Sequence, residues 1–358
     1  MDLLTIGAFA KASRLSPKAL RLYDELELLP PARVDPVTGY RLYAPEQLER
    51  ARLVAWLRRL GMPLARIREV CALDASSAAA EVRAFWAQVE ADTAARRELA
   101  SFLVDHLSRK EPMMSPTSTP LTIRYAARSD AGLVREGNQD TAYAGARLLA
   151  VADGFGSGGA PAGAAAIDVL KRLESGSLPA GNLLNVLGEA IEQANQAVHG
   201  VAQASRTPQE VGTTLTAMLW TGSQLALVHI GDSRAYLLRD GELFQITHDH
   251  TLVQSMVDEG RLSPDEAASH PQRALLLRAL TGGAEHTADV QLHDARCGDR
   301  YLLCSDGLSS VVPAEEVLAV VSGFTDPQQA AAELVAIANR AGGPDNVSCV
   351  VAEVLELR

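Results

Sequence analysis

Four aspartates stand at the edges of apolar runs between residues 148 and 356. Asp153 ends LLAVAD, Asp232 ends LALVHIGD, Asp306 ends YLLCSD, and Asp345 sits in the turn GGPDN before VSCVVAEV. Each run has the length and aliphatic content of a buried strand. Taken singly, an aspartate beside a glycine is a turn or cap residue. Four of them at strand ends, with no matching basic cluster, demand neutralisation, because half-buried carboxylates repel one another. A shared divalent cation supplies it, and all-oxygen ligands select a hard ion, Mg2+ or Mn2+, over zinc.

Asp153 also opens the glycine-rich stretch DGFGSGG, in which Gly154, Gly156 and Gly159 are spaced G-x-G-x-x-G. A dinucleotide loop of that spacing needs a second strand that delivers an acidic residue roughly 20 positions on. Glu174 has the distance but lies in AAIDVLKRLESGS, which reads as helix. Asp153 would also place a carboxylate beside the phosphates. The metal reading therefore takes precedence over the cofactor loop.

The elements that must position these residues follow from the pattern on either side of RKEPMMSPTSTP, a Pro/Ser/Thr-rich stretch with no periodicity that reads as a linker. Four segments are expected: a helical module over 1–75, a long helix over 76–109, the linker over 110–120, and a strand-rich domain over 121–358. Charge divides similarly. Residues 1–110 carry 17 Lys/Arg against 14 Asp/Glu, and the remainder 16 against 30, within a net charge of −11. Only the amino-terminal part is suited to a polyanion. The four cysteines are scattered and read as buried thiols. No basic n-region precedes an apolar core, and no apolar run approaches the ~18 residues of a membrane span, so a cytoplasmic protein without membrane contact is expected.

Before the linker the chain reads as helical. Two short helices, LTIGAFAKAS and SPKALRLYDELELL, are followed by a hairpin-like PPARVDPVTGYRLY and two more amphipathic helices. Ser16 is a candidate N-cap with Pro17 at the first helical position. Lys18, Arg21 and Tyr23 on the second helix, and Tyr40, Arg41 and Tyr43 on the hairpin wing, are the candidate DNA contacts. From about Ala78 to Leu107 a long helix carries Val82, Phe85, Val89, Leu99, Leu103 and Leu107 at mostly three- and four-residue steps, a stripe expected to bury against a second copy. Over this region ALRLYDELELL, TGYRLY and LRRLGMPLARI resemble the MerR family of bacterial regulators. That resemblance implies an all-α winged helix-turn-helix, a homodimer held by the long helix, and binding to double-stranded promoter DNA at an inverted repeat. Glu27 stands where the family usually has glycine, and the turn leaving the second helix is expected to differ there.

After the linker, short strands, tight turns and a few helices indicate an α+β layered domain with antiparallel pairing. SDAGLVREGNQD, VADGFGSGG, GTTLTAML, LVHIGDSRAYLLRDGEL, LLCSDGLS and GGPDNVSCVV resemble, in that order, the metal-dependent type 2C (PPM) protein phosphatases. The resemblance implies a four-layer αββα sandwich with two antiparallel sheets and two Mn2+ or Mg2+ ions at one edge. It assigns Asp153 as the bridging ligand, the Gly154 carbonyl to one ion, Asp306 and Asp345 to the other, and Asp232 to a weaker third. Arg135 would hold the substrate phosphate and Asp140 would act through metal-bound water. Gln139 replaces the usual glutamate, which is expected to weaken a water-mediated contact. Phe155 stands where bacterial relatives have methionine and eukaryotic ones histidine, so no side chain is assigned as general acid. Ala274 replaces a serine often found near the third ion. His229, His248, His250 and His270 are expected to be structural or surface groups.

Together these imply a DNA-binding regulator that carries a Mg2+/Mn2+-dependent phosphoserine/phosphothreonine phosphatase. Its expected partners are promoter DNA, phosphorylated proteins and a cognate Ser/Thr kinase. The alternative is a transcription factor whose phosphatase-like domain senses metal or a phosphoprotein with little turnover.

Overall fold

In the computed structural model of the protein, the described residues are 3–36, 38–107, 120–174, 183–205, 211–283 and 287–357. Apart from its last position, the linker expected over 110–120 lies outside them. The chain forms two compact units, Met1–Val89 with Leu252–Leu275, and Glu90–Thr251 with Leu276–Arg358.

In the first unit, helix Ile6–Ser13 begins at Thr5, whose side chain accepts from Ala8 N–H, and helix Pro17–Glu25 begins at Ser16, which accepts from Ala19 N–H. Proline occupies the first turn of the second helix, where its missing N–H costs nothing. Three short strands, Leu4–Thr5, Arg33–Val34 and Arg41–Tyr43, pair antiparallel with Arg41–Tyr43 in the middle. Helices Gln47–Arg59, Leu64–Val70 and Ala75–Leu107 follow. The core comprises Phe9, Leu20, Leu28, Leu29, Val54, Leu57, Met62 and Ile67, with the Tyr43 ring stacked on Phe9 at 4.6 Å between centroids.

The long helix differs from expectation in what its stripe touches. Val82, Phe85 and Val89 pack into this same core, and Arg66 lies over the Phe85 ring at 5.3 Å. The first half of the stripe is therefore satisfied within its own unit. The side chains of Leu99, Leu103 and Leu107, on which a seam with a second copy would rest, lie outside those described.

The second unit holds two antiparallel sheets. One runs Asp289–Asp294, Gln224–Ile230, Leu215–Trp220, Leu148–Phe155, Asp140–Ala144 in spatial order, with Gly212–Thr213 pairing to the fourth. The other runs Glu242–Gln245, Arg234–Arg239, Arg300–Cys304, Val347–Glu356, Leu121–Asp130. Period-two alternation sorts their side chains. Leu149, Val151, Met218 and Leu227 meet Leu237, Leu303 and Val350 in a core between the sheets. Leu148, Ala150 and Ala152 point the other way, against helices Gly159–Lys171 and Leu183–Ala204. Leu302, Val347 and Val351 pack on helices Ala314–Gly323 and Pro327–Arg340. Strands covered on both faces read as continuous apolar runs, which is why LLAVA carries no polar alternation. Helix, sheet, sheet and helix layers result, and the strand ends of both sheets carry the aspartates.

Candidate metal centre

The strand ends bring the acidic residues together. Asp140 and Asp153 stand directly opposite one another across the antiparallel pair Asp140–Ala144/Leu148–Phe155. Like charges at such positions destabilise a sheet. Asp306 opens the short helix after Arg300–Cys304, Asp345 lies in the turn before Val347–Glu356, and Asp232 lies in the turn between Gln224–Ile230 and Arg234–Arg239. Asp153 senses the charges of Asp140, Asp306 and Asp232, and Asp306 senses those of Asp345 and Arg135.

The electrostatics are those of a carboxylate cluster short of positive charge. Burial, reinforced by Asp306 and Asp345, pushes Asp140 up to about 7. Burial, with Asp306 and Asp249, pushes Asp232 up to about 8. Asp153 is driven well above the usual carboxylate range by burial and by its three acidic neighbours, and it hydrogen-bonds Asp306. The Arg135 guanidinium lies at the edge of the cluster, donating from Nη2 to Asp345 Oδ2 at 2.6 Å. Among the described residues, no group of three or more His, Cys, Asp or Glu side chains forms a preformed cage for one ion. The donor set nevertheless fits hard cations in chemistry and charge: oxygen ligands only, repelling one another, with Arg135 and Arg234 offsetting part of the charge. Asp153, Asp306, Asp345, Asp232 and the Gly154 carbonyl are the residues that would hold such ions.

Backbone packing explains the glycines. A side chain on Gly154 would come within 2.1 Å of Gly159 O, and one on Gly159 within 2.6 Å of Gly154 C. These two glycines let the chain fold against itself just after Asp153. Glu174 takes no part in this site. It sits in the 3-10 turn Arg172–Glu174 and accepts from Tyr143 Oη, Arg147 N–H and Leu148 N–H, tying down the hairpin between Asp140–Ala144 and Leu148–Phe155.

Several positioning residues were not singled out from sequence. Thr214 Oγ1 accepts from Asp153 N–H and Thr214 N–H donates to Asp153 O, so the GTT segment fixes the backbone of Asp153. Ser305 Oγ donates to Asp140 Oδ2 at 2.6 Å and accepts from Ser348 N–H. Asn346 ties the Arg135 loop to the turn that carries Asp345. Ser305 and Asn346 were visible as polar residues beside Asp306 and Asp345, and Thr214 within GTTLTAML, but only their partners distinguish them from ordinary polar residues. Gln139 makes a contact that the sequence did not reveal. Its Nε2 donates to Gly156 O at 2.7 Å, a bond that a carboxylate cannot make, so the amide latches the glycine turn. Phe155 is half-buried, and a Cβ on Gly212 would fall 2.3 Å from its ring. His229 is buried, bonded to Thr216 Oγ1 and to the His248 carbonyl, as a structural group.

The expected DNA-contact residues divide. Lys18 and Arg21 are exposed on helix Pro17–Glu25, and Tyr40 is 68% exposed on the small sheet. Arg41 is half-buried and paired with Asp24. Tyr23 and Tyr43 correct the sequence reading, because both are buried in the core of the unit, Tyr43 completely. Aromatic rings at these positions do more by filling the core than by facing solvent.

Comparison with known proteins agrees with this arrangement. Residues 134–356 match the family described as "Protein phosphatase 2C", and the chain belongs to that family. Residues 4–74 match "MerR HTH family regulatory protein". Among particular relatives, the serine/threonine protein phosphatase PstP of Mycobacterium tuberculosis is 51% identical over 238 residues, which are 66% of this chain and 46% of that protein. The chain thus spans about half the length of that relative. A serine/threonine phosphatase of Listeria welshimeri is 32% identical over 63% of this chain and 94% of its own. The crystal structure of the M. tuberculosis phosphatase superposes with a TM-score of 0.63, covering 66% of this chain and all of that one. A second structure, of the PstP catalytic domain in complex with two manganese ions, is 49% identical with a TM-score of 0.61, over 66% of this chain and 99% of that one.

Proposed function

We propose that this chain is a Mn2+- or Mg2+-dependent phosphatase of phosphoserine and phosphothreonine in proteins, joined to a MerR-type DNA-binding module. The observation that carries the phosphatase reading is the meeting of Asp140, Asp153, Asp232 and Asp306 at the strand ends of both sheets, with Arg135 on Asp345 beside them. When bound, two cations supply charge neutralisation and a nucleophilic water at neutral pH. The residues of the chain do the rest. Asp153, Asp306, Asp345 and the Gly154 carbonyl would hold the ions, and Asp232 would serve a weaker third site. Arg135 presents a planar fork of donors that suits a phosphoryl dianion. Asp140, held by Ser305, orients water at the edge of the cluster.

Hydrolysis of a phosphothreonine peptide at millimolar Mn2+ tests this reading. The wild type is expected to exceed Asp153→Ala by a factor of about 100 or more. Equal rates would reject the enzyme and leave the alternative, a domain that senses metal or phosphoprotein without useful turnover.

The amino-terminal module acts on promoter DNA in the cytoplasm, through Lys18, Arg21, Tyr40 and Arg41, as a winged helix-turn-helix. Exposed Trp56 and Trp86, at 61% and 43%, support a homodimer that covers them with help from the 76–109 helix. Lys18→Ala with Arg21→Ala is expected to remove the footprint on the protein's own promoter, and either change alone to weaken it and reduce its salt dependence. A footprint that survives both changes would overturn the placement. A kinase whose products this phosphatase consumes is the partner that such chemistry requires.

A further inference from the structure

The Arg135 loop has little to hold it except hydrogen bonds. Between strands Leu121–Asp130 and Asp140–Ala144 the chain runs through Ala131–Gln139, and its apolar residues Leu133 and Val134 are 68% and 67% exposed. Hydrophobic packing therefore does not fix its position. Instead it lies against the Gly343–Asn346 turn. Leu133 N–H donates to Gly343 O at 2.8 Å, and a Cβ on Gly132 would fall 2.2 Å from Asp345 O.

Asn346 closes this contact. Its side chain is buried, and Nδ2 donates to Ala131 O at 2.9 Å and to Gly137 O at 2.8 Å, the two ends of the loop. Its Oδ1 accepts from Gln139 N–H at 2.8 Å. One amide thus uses both donors and an acceptor to draw the loop's ends together, and no other short side chain offers that set. The same residue lines a cavity of about 240 Å³ with Arg135, Glu136, Gly137 and Gln139.

We infer that Asn346 is a positioning residue for substrate phosphate, acting through Arg135: it sets the loop so that the guanidinium faces the aspartate cluster. The inference rests on Arg135 being the phosphate-binding group of the proposed phosphatase. A purely structural asparagine would stabilise the turn and the metal ligand beside it. A positioning residue affects phosphate and spares metal.

The test uses the full chain as wild type, Asn346→Ala, Arg135→Ala and the double variant. Calorimetry with Mn2+ alone reads the metal site. Calorimetry with inorganic phosphate in the presence of Mn2+, and KM against kcat for a phosphothreonine peptide, read the phosphate site. Asn346→Ala is expected to weaken phosphate binding and raise KM by about tenfold or more, as for a displaced binding group, with a smaller change in kcat. Mn2+ affinity stays within about twofold, and the double variant is no worse than Arg135→Ala, because removing the arginine leaves nothing to position. Multiplying effects, or Mn2+ affinity falling by the same factor as KM rises, would overturn the inference while a defect in Arg135→Ala keeps the phosphatase reading. An Arg135→Ala chain that binds phosphate as the wild type does would overturn both. Should Asn346→Ala fail to fold, Asn346→Asp carries the same test: it preserves size and the acceptor for Gln139 N–H, but turns an acceptor toward the Ala131 and Gly137 carbonyls.

Discussion

Glu27 shows how one residue stores strain at the exit of helix Pro17–Glu25. Its φ is +54°, in the left-handed region, where a Cβ crowds the following carbonyl. The turn itself is intact, with Leu28 and Leu29 N–H both donating to Tyr23 O. Glu27 thus carries a conformational cost that glycine would not bear at this φ. Glu27 is exposed, so its side chain contributes no core packing. Glu27→Gly is expected to stabilise the first unit by about 0.5–1 kcal/mol, less than the full left-handed penalty because glycine also gains freedom when unfolded. Urea unfolding checks this, and an unchanged or lower midpoint would contradict it.

Among the elements, the long helix Ala75–Leu107 is the one whose periodicity points two ways. Steps of three and four residues describe equally a seam with a partner and a stripe on the helix's own domain. Val82, Phe85 and Val89 take the second course, since helices Gln47–Arg59 and Leu64–Val70 offer Leu57, Ile67 and Val70 against them. Phe85→Ala is expected to cost about 3 kcal/mol through the cavity it leaves. The loss should be the same at every protein concentration, because the contact is made within one chain. A loss that vanishes on dilution would place Phe85 at an interface between copies instead.

For the molecule as a whole, the acidic centre sets the pH response. Asp140 and Asp232 titrate near 7 and 8 in the fold, above the value of about 4 they have when unfolded. Their contribution to stability is fully present below about 4 and is lost as pH rises through 7 to 8. His229 and His293, which burial pushes down to about 4, work in a different window. They cost stability only as pH falls from about 6.5 toward 4. Between pH 6.5 and 8, Asp140 and Asp232 lower stability as pH rises. Protein stripped of metal by a chelator is expected to lose Tm across that range, and Mn2+ to raise Tm more at pH 8 than at pH 6.5. Asp153→Asn should flatten the slope and abolish the Mn2+ effect. Equal Mn2+ shifts at both pH values would contradict this account.

Local sequence determined which residues have the chemistry. The aspartates beside apolar runs and the Ser16–Pro17 helix start are short-range signals, carried by strand period and capping, whereas the compact units divide after Val89 and not at the Pro/Ser/Thr stretch. Tertiary structure decided what those residues face. Period alone did not tell whether Val82 and Phe85 meet their own domain or a partner, nor that Tyr23 and Tyr43 fill a core. It did not show that Gln139 latches Gly156, or that Asn346 joins Ala131 to Gly137 across more than two hundred residues. The Asn346 contact forms because Leu121–Asp130 and Val347–Glu356 pair in one sheet with Val347 opposite Asp130, and the charges that repel at the site are gathered from both sheets and belong to no single segment.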